Sequence, residues 1–281
     1  MTQRRFIQCD VFTAVPTKGN GLAVVLDADG LSDRTMQDFA AWTNLAETSF
    51  LLPPEDAAAD YRLRIFTPER ELPFAGHPTL GSCAAWLHGG GVPIEAGLVR
   101  QECGVGLVEI DLTGATPAFA APPTQIGPLP EGHQAALVRA LELLSERVVR
   151  SAWLNNGPDW NVLELESADD VLAVEPAGLR AAGLHDVGLI GPQPAGSDSD
   201  YEVRLLAPPT AMSEDPITGS LNAAIAQWMA AEGRLSGPVT VRQGTRLGRE
   251  GRVTITPSTK DPGRILIGGE TQILIKGTLE L

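Results

Sequence analysis

Glu47, His77 and Asp215 are the titratable side chains whose surroundings in this chain suit proton transfer. Glu47 stands in Asn44-Leu45-Ala46-Glu47-Thr48-Ser49-Phe50, between a helix-like and a strand-like stretch. His77 directly precedes Pro78 at the mouth of a small-residue apolar run. Asp215 lies in Glu214-Asp215-Pro216, just ahead of a second such run. Carboxylates and imidazoles take up and return protons, which is general acid–base work. Each residue also has a plainer reading: a surface glutamate, a histidine bonded to a nearby carbonyl, an aspartate capping a helix. Taken singly, the residues leave both readings open.

The same two loops offer a second kind of chemistry. Gly76-His77-Pro78 and Thr218-Gly219-Ser220 each open a helix-like run. A helix N-terminus carries about half a positive charge and several N–H groups without intrahelical partners, which suits a carboxylate. The backbone at Gly76, Gly219 and Ser220 is therefore a candidate substrate-binding element in an otherwise acidic chain. Good helix caps would leave the same signature.

An internal repeat makes these residues worth considering together. Asp60-Tyr61-Arg62-Leu63-Arg64-Ile65-Phe66-Thr67-Pro68 returns as Asp200-Tyr201-Glu202-Val203-Arg204-Leu205-Leu206-Ala207-Pro208, an offset of 200 − 60 = 140. Val99-Arg100-Gln101 returns as Val241-Arg242-Gln243, offset 241 − 99 = 142, and Gly76 and Gly219 are 219 − 76 = 143 apart. A drift of three residues is what a duplication with loop insertions leaves. Two similar halves facing each other make a cleft, and here one loop supplies a histidine while the other supplies an aspartate and a serine.

The elements that must hold these loops are mostly strands. Short β-branched or alternating segments at Phe6–Thr13, Leu22–Asp27, Thr48–Leu52 and Tyr61–Phe66 are bounded by Pro, Gly or Asp. Leu98–Glu102 with Leu107–Leu112 reads as a hairpin, and a similar series runs from Val148 to Ile275. Helices are expected at Asp33–Thr43 behind Ser32, at Glu131–Glu146 with Leu137, Leu141 and Leu144 on one face, and at Pro176–Ala182. Pro78–Leu87 and Ser220–Glu232 are different, being apolar nearly all round, so protein must surround them. The expected fold class is α+β: two pseudo-symmetric domains, each a barrel-like curved sheet around a central apolar helix, with the active site in the cleft between them. Ala115–Pro130, rich in Pro, Ala and Gly, reads as the linker.

Bulk properties exclude other classes. A net charge of −14 and no basic run longer than Arg4-Arg5 argue against nucleic acid or an anionic membrane as partner. Three scattered cysteines read as reduced thiols of a cytoplasmic protein, with no signal peptide and no membrane span expected. Motifs for nucleotide, metal and serine-hydrolase chemistry are missing from the sequence. The remaining partner is a small-molecule carboxylate substrate.

Gly19-Asn20, Asn44-Leu45-Ala46-Glu47-Thr48, Phe74-Ala75-Gly76-His77-Pro78-Thr79-Leu80-Gly81 and Glu214-Asp215-Pro216-Ile217-Thr218-Gly219-Ser220, in this order, make the chain resemble the phenazine-biosynthesis PhzF-like family of the diaminopimelate-epimerase-like fold. The resemblance implies repeat domains at residues 1–118 and 131–270 with a linker at 119–130, and makes strands at about 271–281 candidates to return to the first domain. It implies a homodimer working without cofactor or metal. It makes Glu47 the general acid/base and sets His77, Asp215 and Ser220 around the substrate. The two cysteines of related epimerases and proline racemases align with Ala75 and Thr218, so two-thiol racemisation is excluded by the alignment. Gly21 and Ala46 depart from the family's Gly-Asn-Pro and Ser-Glu-Thr patterns close to the expected site, which leaves the substrate open.

The function expected is a cofactor-independent isomerase that shifts a proton within a small carboxylic acid. A free glutamate of pKa about 4.3 is a poor base for carbon, so burial is expected to raise it. A one-carboxylate epimerase of an amino or hydroxy acid, and a non-catalytic dimeric ligand-binding protein, are the alternatives.

Overall fold

The stretches 78–87 and 220–232 hold almost no charge, so a helix in either place needs cover on every side. A computed structural model describes residues 2–207, 214–258, 261 and 263–281. In it these stretches are helices of 13 residues each, Gly76–His88 and Gly219–Ala231. Pro208, the last residue of the second repeat copy, lies outside the described residues.

The chain divides into two compact units, Met1–Ala120 with Gly268–Leu281, and Ala121–Ile267. Both mix strands with helices. In chain order the first unit has β1 (Gln3–Val11), β2 (Asn20–Val25), α1 (Asp33–Thr43), β3 (Thr48–Leu52), β4 (Tyr61–Phe66) and β5 (Glu71–Leu72). It continues with α2 (Gly76–His88), β6 (Leu98–Cys103), β7 (Gly106–Asp111) and β8 (Ala118–Ala120). The next stretch carries β9 (Gln125–Gly127), α3 (His133–Ala140), β10 (Val148–Asn155), β11 (Asp159–Leu165), α4 (Ala168–Ala173) and α5 (Ala177–Ala182). It goes on through β12 (Val187–Pro192), β13 (Tyr201–Leu206), β14 (Glu214–Asp215), α6 (Gly219–Ala231), β15 (Val239–Gln243), β16 (Gly251–Pro257) and β17 (Ile265–Gly268). The last strand, β18 (Thr271–Glu280), is antiparallel to β1.

In the first unit β1 is antiparallel to β2, β2 parallel to β3, β3 antiparallel to β4, β4 antiparallel to β5 and parallel to β6, and β6 antiparallel to β7. In the second unit the same succession joins β10 to β11, β11 to β12, β12 to β13, β13 to β14 and β15, and β15 to β16. The repeated sequence thus carries a repeated pairing pattern. α2 packs against β1, β2, β3, β6, β8 and β18, which supplies the cover its apolar surface requires. Gly81 permits that approach: a Cβ there would lie 2.6 Å from Leu22 Cδ2 and 2.8 Å from Val11 Cγ2. Outside this core, Met36 and Ala40 of α1 pack on Val25, Phe50 and Phe66.

The helix expected at 131–146 is shorter, because α3 stops at Ala140. Glu142 adopts φ 52° and Leu143 N–H donates to Val138 O at 2.9 Å, a left-handed termination that satisfies the last carbonyls. Leu144, expected on the buried face, is therefore past the helix and exposed. Leu137 and Leu141 do join the core, with Leu163, Val171, Leu179 and Leu206. The expectation missed α4, whose Ser167 hydroxyl accepts Asp170 N–H at 3.1 Å with Asp169 and Asp170 in the first turn. Its six residues are too few for a period to show. Within the stretch read as linker, Ala118–Ala120 and Gln125–Gly127 are strands.

Candidate active site

Glu47 is placed by the end of α1. Asn44 caps that helix in the left-handed region at φ 53°, a conformation asparagine tolerates, and turns the chain back toward β3. The hydroxyls of Thr43 and Thr48 meet at 2.9 Å across the loop. Glu47 lies in this loop, directly before the buried start of β3.

His77 is the second residue of α2, behind Gly76, and both are buried. Ala75 is the N-cap with extended backbone, and no side chain caps the helix. The His77 Nε2 lies 3.4 Å from Glu47 Oε2, with the side chains only 6% and 17% exposed. On the other side of the ring, Asn20 Nδ2 lies 3.5 Å from Nδ1. With the amide as donor, Nδ1 accepts and the ring proton is on Nε2, the nitrogen nearer the Glu47 carboxylate. Burial pushes the His77 pKa down to about 3, so the ring is neutral. The neighbour of the Glu47 carboxylate is therefore a neutral ring and not a second charge. A separation of 3.4 Å is longer than a well-formed hydrogen bond, so the two groups are close neighbours without being bonded to each other. Asn20 is itself set by a close turn: Gly19 N–H donates to Asp10 Oδ2 at 2.9 Å, and a Cβ on Gly19 would lie 2.3 Å from Val11 O.

In the second unit Asp215 ends β14 and is registered opposite Leu205. Its neighbour Glu214 is clamped by Arg204, whose Nε and Nη2 donate to the carboxylate at 3.1 and 2.7 Å. Arg204 Nη1 also donates to Val171 O and Val174 O, so the buried guanidinium fixes the short strand from three directions. The Thr218 hydroxyl donates to Asp215 Oδ2 at 2.5 Å. Gly219 and Ser220 are the first two residues of α6, again with no side-chain cap. Asn156 Nδ2 donates to the Ser220 carbonyl at 2.8 Å, while Asn156 Oδ1 accepts Trp160 Nε1–H at 3.0 Å.

Glu47, His77 and Gly76 thus gather in the first unit, and Asp215, Gly219 and Ser220 in the second. Sequence reasoning assigned no task to Asn20, Thr43, Asn156 or the Thr218 hydroxyl. Only Asn20 left a trace, in the Gly19-Asn20 pair. Ala75 and Thr218 carry no thiol, and burial pushes Cys9 and Cys83 up to about 12, so neither buried cysteine supplies a thiolate. Among the described residues no group of three or more His, Cys, Asp and Glu is arranged to hold a metal, and no helix is long and apolar enough to cross a membrane.

A family model described as phenazine biosynthesis-like protein, PhzC-PhzF, matches residues 9–277. Antisense-enhancing sequence 1 of Schizosaccharomyces pombe is 36% identical over 293 residues, covering 99% of each chain. Trans-2,3-dihydro-3-hydroxyanthranilate isomerase of Pseudomonas fluorescens is 32% identical over 250 residues, covering 87% of each. The crystal structure of a Bacillus anthracis phenazine biosynthesis protein of the PhzF family shares the fold over the full length of both chains, with a TM-score of 0.83 at 22% identity.

Proposed function

The chain belongs to the phenazine biosynthesis-like PhzC-PhzF family, and from that membership we propose that it is an isomerase shifting a proton within a small, unsaturated carboxylic acid, with no cofactor. The observation that carries the reading is the approach of His77 Nε2 to Glu47 Oε2 at 3.4 Å. Glu47 takes a proton from carbon, the electron pair of the broken C–H bond moves into the adjoining π system, and the same proton returns to another carbon. Nothing is oxidised or reduced. His77, neutral and donating, steadies the ionised form of Glu47 and relays no charge of its own. Asp215 holds an amine or hydroxyl of the substrate. The N–H groups of Gly76, Gly219 and Ser220 bind its carboxylate.

The architecture belongs to the same proposal. Each unit is a barrel-like curved sheet around its apolar helix, and the two descend from one duplicated ancestor. The recurring strand pairings support this. A cytoplasmic homodimer is also proposed, with a mass in solution of twice 29.7 kDa as its test.

The deciding experiment incubates the protein in D₂O with trans-2,3-dihydro-3-hydroxyanthranilate, the substrate in the name of the Pseudomonas fluorescens relative, and with other small unsaturated carboxylic acids. Isomerisation gives a changed ultraviolet spectrum and a proton or deuteron at a new carbon. Loss of optical activity with no spectral change would make the protein an epimerase. A tight ligand that never exchanges would make it a binding protein.

A further inference from the structure

The repeated tripeptides Val99-Arg100-Gln101 and Val241-Arg242-Gln243 end in glutamines that are both fully buried. We propose that Gln243 is a positioning residue: it fixes the Thr218 hydroxyl as a donor to Asp215 and so sets the direction and the charge state of that carboxylate.

The polarity of the arrangement is forced. Gln243 Oε1 accepts from Thr218 N–H at 3.1 Å and from Asn222 Nδ2 at 2.8 Å. Gln243 Nε2 donates to Asp215 O at 3.3 Å and to Thr218 Oγ1 at 3.1 Å. A backbone N–H can only donate and a carbonyl can only accept, so these contacts admit one orientation of the amide. Flipping it would set donor against donor and acceptor against acceptor in a site closed to water, which is costly. Because Thr218 Oγ1 receives the Nε2 proton, its own proton is left for Asp215 Oδ2, 2.5 Å away. A hydroxyl free to rotate is thereby turned into a one-way donor. That contact favours the ionised aspartate.

The first unit contains the control. Gln101 Oε1 accepts from Tyr61 OH at 3.1 Å and Gln101 Nε2 donates to Thr79 Oγ1 at 3.2 Å. The Thr79 hydroxyl then donates to Ala75 O at 2.9 Å, so this relay ends on a backbone carbonyl. Thr79 and Asn222 are 222 − 79 = 143 apart, as are Ala75 and Thr218 at 218 − 75 = 143. Both glutamines tie down the start of a central helix. Only the second meets a hydroxyl at the cap position, and only there does the relay reach a carboxylate.

The test follows the Asp215 carboxyl by ¹³C NMR across a pH titration of the full chain, with Asp215→Asn to assign the signal. Gln243→Met and Gln243→Leu should raise its midpoint, Thr218→Val should raise it as well, and Thr218→Ser should leave it in place. Gln101→Met should lower stability without moving the midpoint. Combined with Thr218→Val, a Gln243 variant should add nothing, since it acts through that hydroxyl. Additive shifts, or a midpoint that Thr218→Val moves and the Gln243 variants do not, would overturn the proposal. So would failure of both Gln243 variants to fold where Thr218→Val folds, because Gln243 would then be structural only. The consequence for turnover rests on the isomerase reading: kcat of Gln243→Met should fall on the order of 10- to 100-fold, with KM changing less. If the carboxyl moves as expected and no substrate is converted, positioning stands and the isomerase reading fails.

Discussion

His77 Nε2 lies 3.4 Å from Glu47 Oε2, and burial keeps the imidazole neutral. Glu47→Gln keeps the size of the side chain and its contact with His77, but it cannot accept a proton from carbon. General acid–base groups contribute roughly 10²- to 10⁴-fold, so kcat should fall by about that factor. Affinity for a product analogue should change much less, because backbone N–H groups carry the carboxylate in this reading. Ser220→Ala should show the opposite emphasis. Full kcat in Glu47→Gln would make Glu47 structural and send the search for a base to Asp215 or His77.

The same histidine makes stability depend on pH. Its ordinary value is 6.5, and burial lowers it to about 3 in the folded protein. Between those values the unfolded chain binds the extra proton and the folded one does not, so stability is present above 6.5 and lost as pH falls toward 3. The slope reaches about 1.4 kcal/mol per pH unit, which makes roughly 2 kcal/mol between pH 7 and pH 5. Urea unfolding at both pH values should show that loss in the parent and a smaller one in His77→Gln. Equal losses would mean that the imidazole is protonated in the folded state.

Arg204 and Glu214 form a buried pair with 1% and 4% of their side chains exposed. Arg204→Met leaves a buried carboxylate without its partner and should cost about 3–5 kcal/mol. Arg204→Met combined with Glu214→Leu removes both charges and should cost clearly less, since replacing a whole buried pair is often close to neutral. Chemical denaturation of the single and double variants measures this. A double variant as unstable as the single one would place the cost in lost packing.

Gly81 sets two effects against each other. Alanine in a helix gains about 1 kcal/mol over glycine. Here its Cβ would come within 2.6 Å of Leu22 Cδ2, 2.8 Å of Val11 Cγ2 and 3.1 Å of Cys9 Sγ. Overpacking of this kind costs about 1–3 kcal/mol, so Gly81→Ala should lower the unfolding free energy, and Gly81→Val should lower it further. A more stable Gly81→Ala would mean that the β1 and β2 side chains move aside freely.

The apolar helices were legible because a helix without a polar face has few places to go, and α2 and α6 follow from Leu80–Ala85 and Ala223–Ala226. The strand pattern was legible because alternation and Gly or Pro boundaries repeat in both halves. Chain reversals were not. Nothing in Leu141-Glu142-Leu143-Leu144 marks Glu142 for a left-handed termination, which depends on the surroundings as much as on the residue. Of the site, the residues in motifs could be named from the sequence. Asn156 reaches Ser220 and Gln243 reaches Thr218 across long stretches of chain, which leave no spacing to read, while the short-range contacts of Thr43 with Thr48 and of Thr218 with Asp215 depend on how their loops fold.

The pairing of β1 with β18 has a consequence for how the chain is made. β1 leaves the ribosome early, yet its partner at Thr271–Glu280 follows some two hundred and sixty residues later, as the register Val11↔Thr271 records. The second unit is one continuous stretch, 121–267, and is complete in the nascent chain before that partner exists. The first unit, by contrast, is closed by residues from both ends of the sequence and cannot be completed until the last strand has been made. Until β18 arrives, α2 lacks one of the strands that cover it, so the helix bearing His77 is among the last parts of the protein to be shielded.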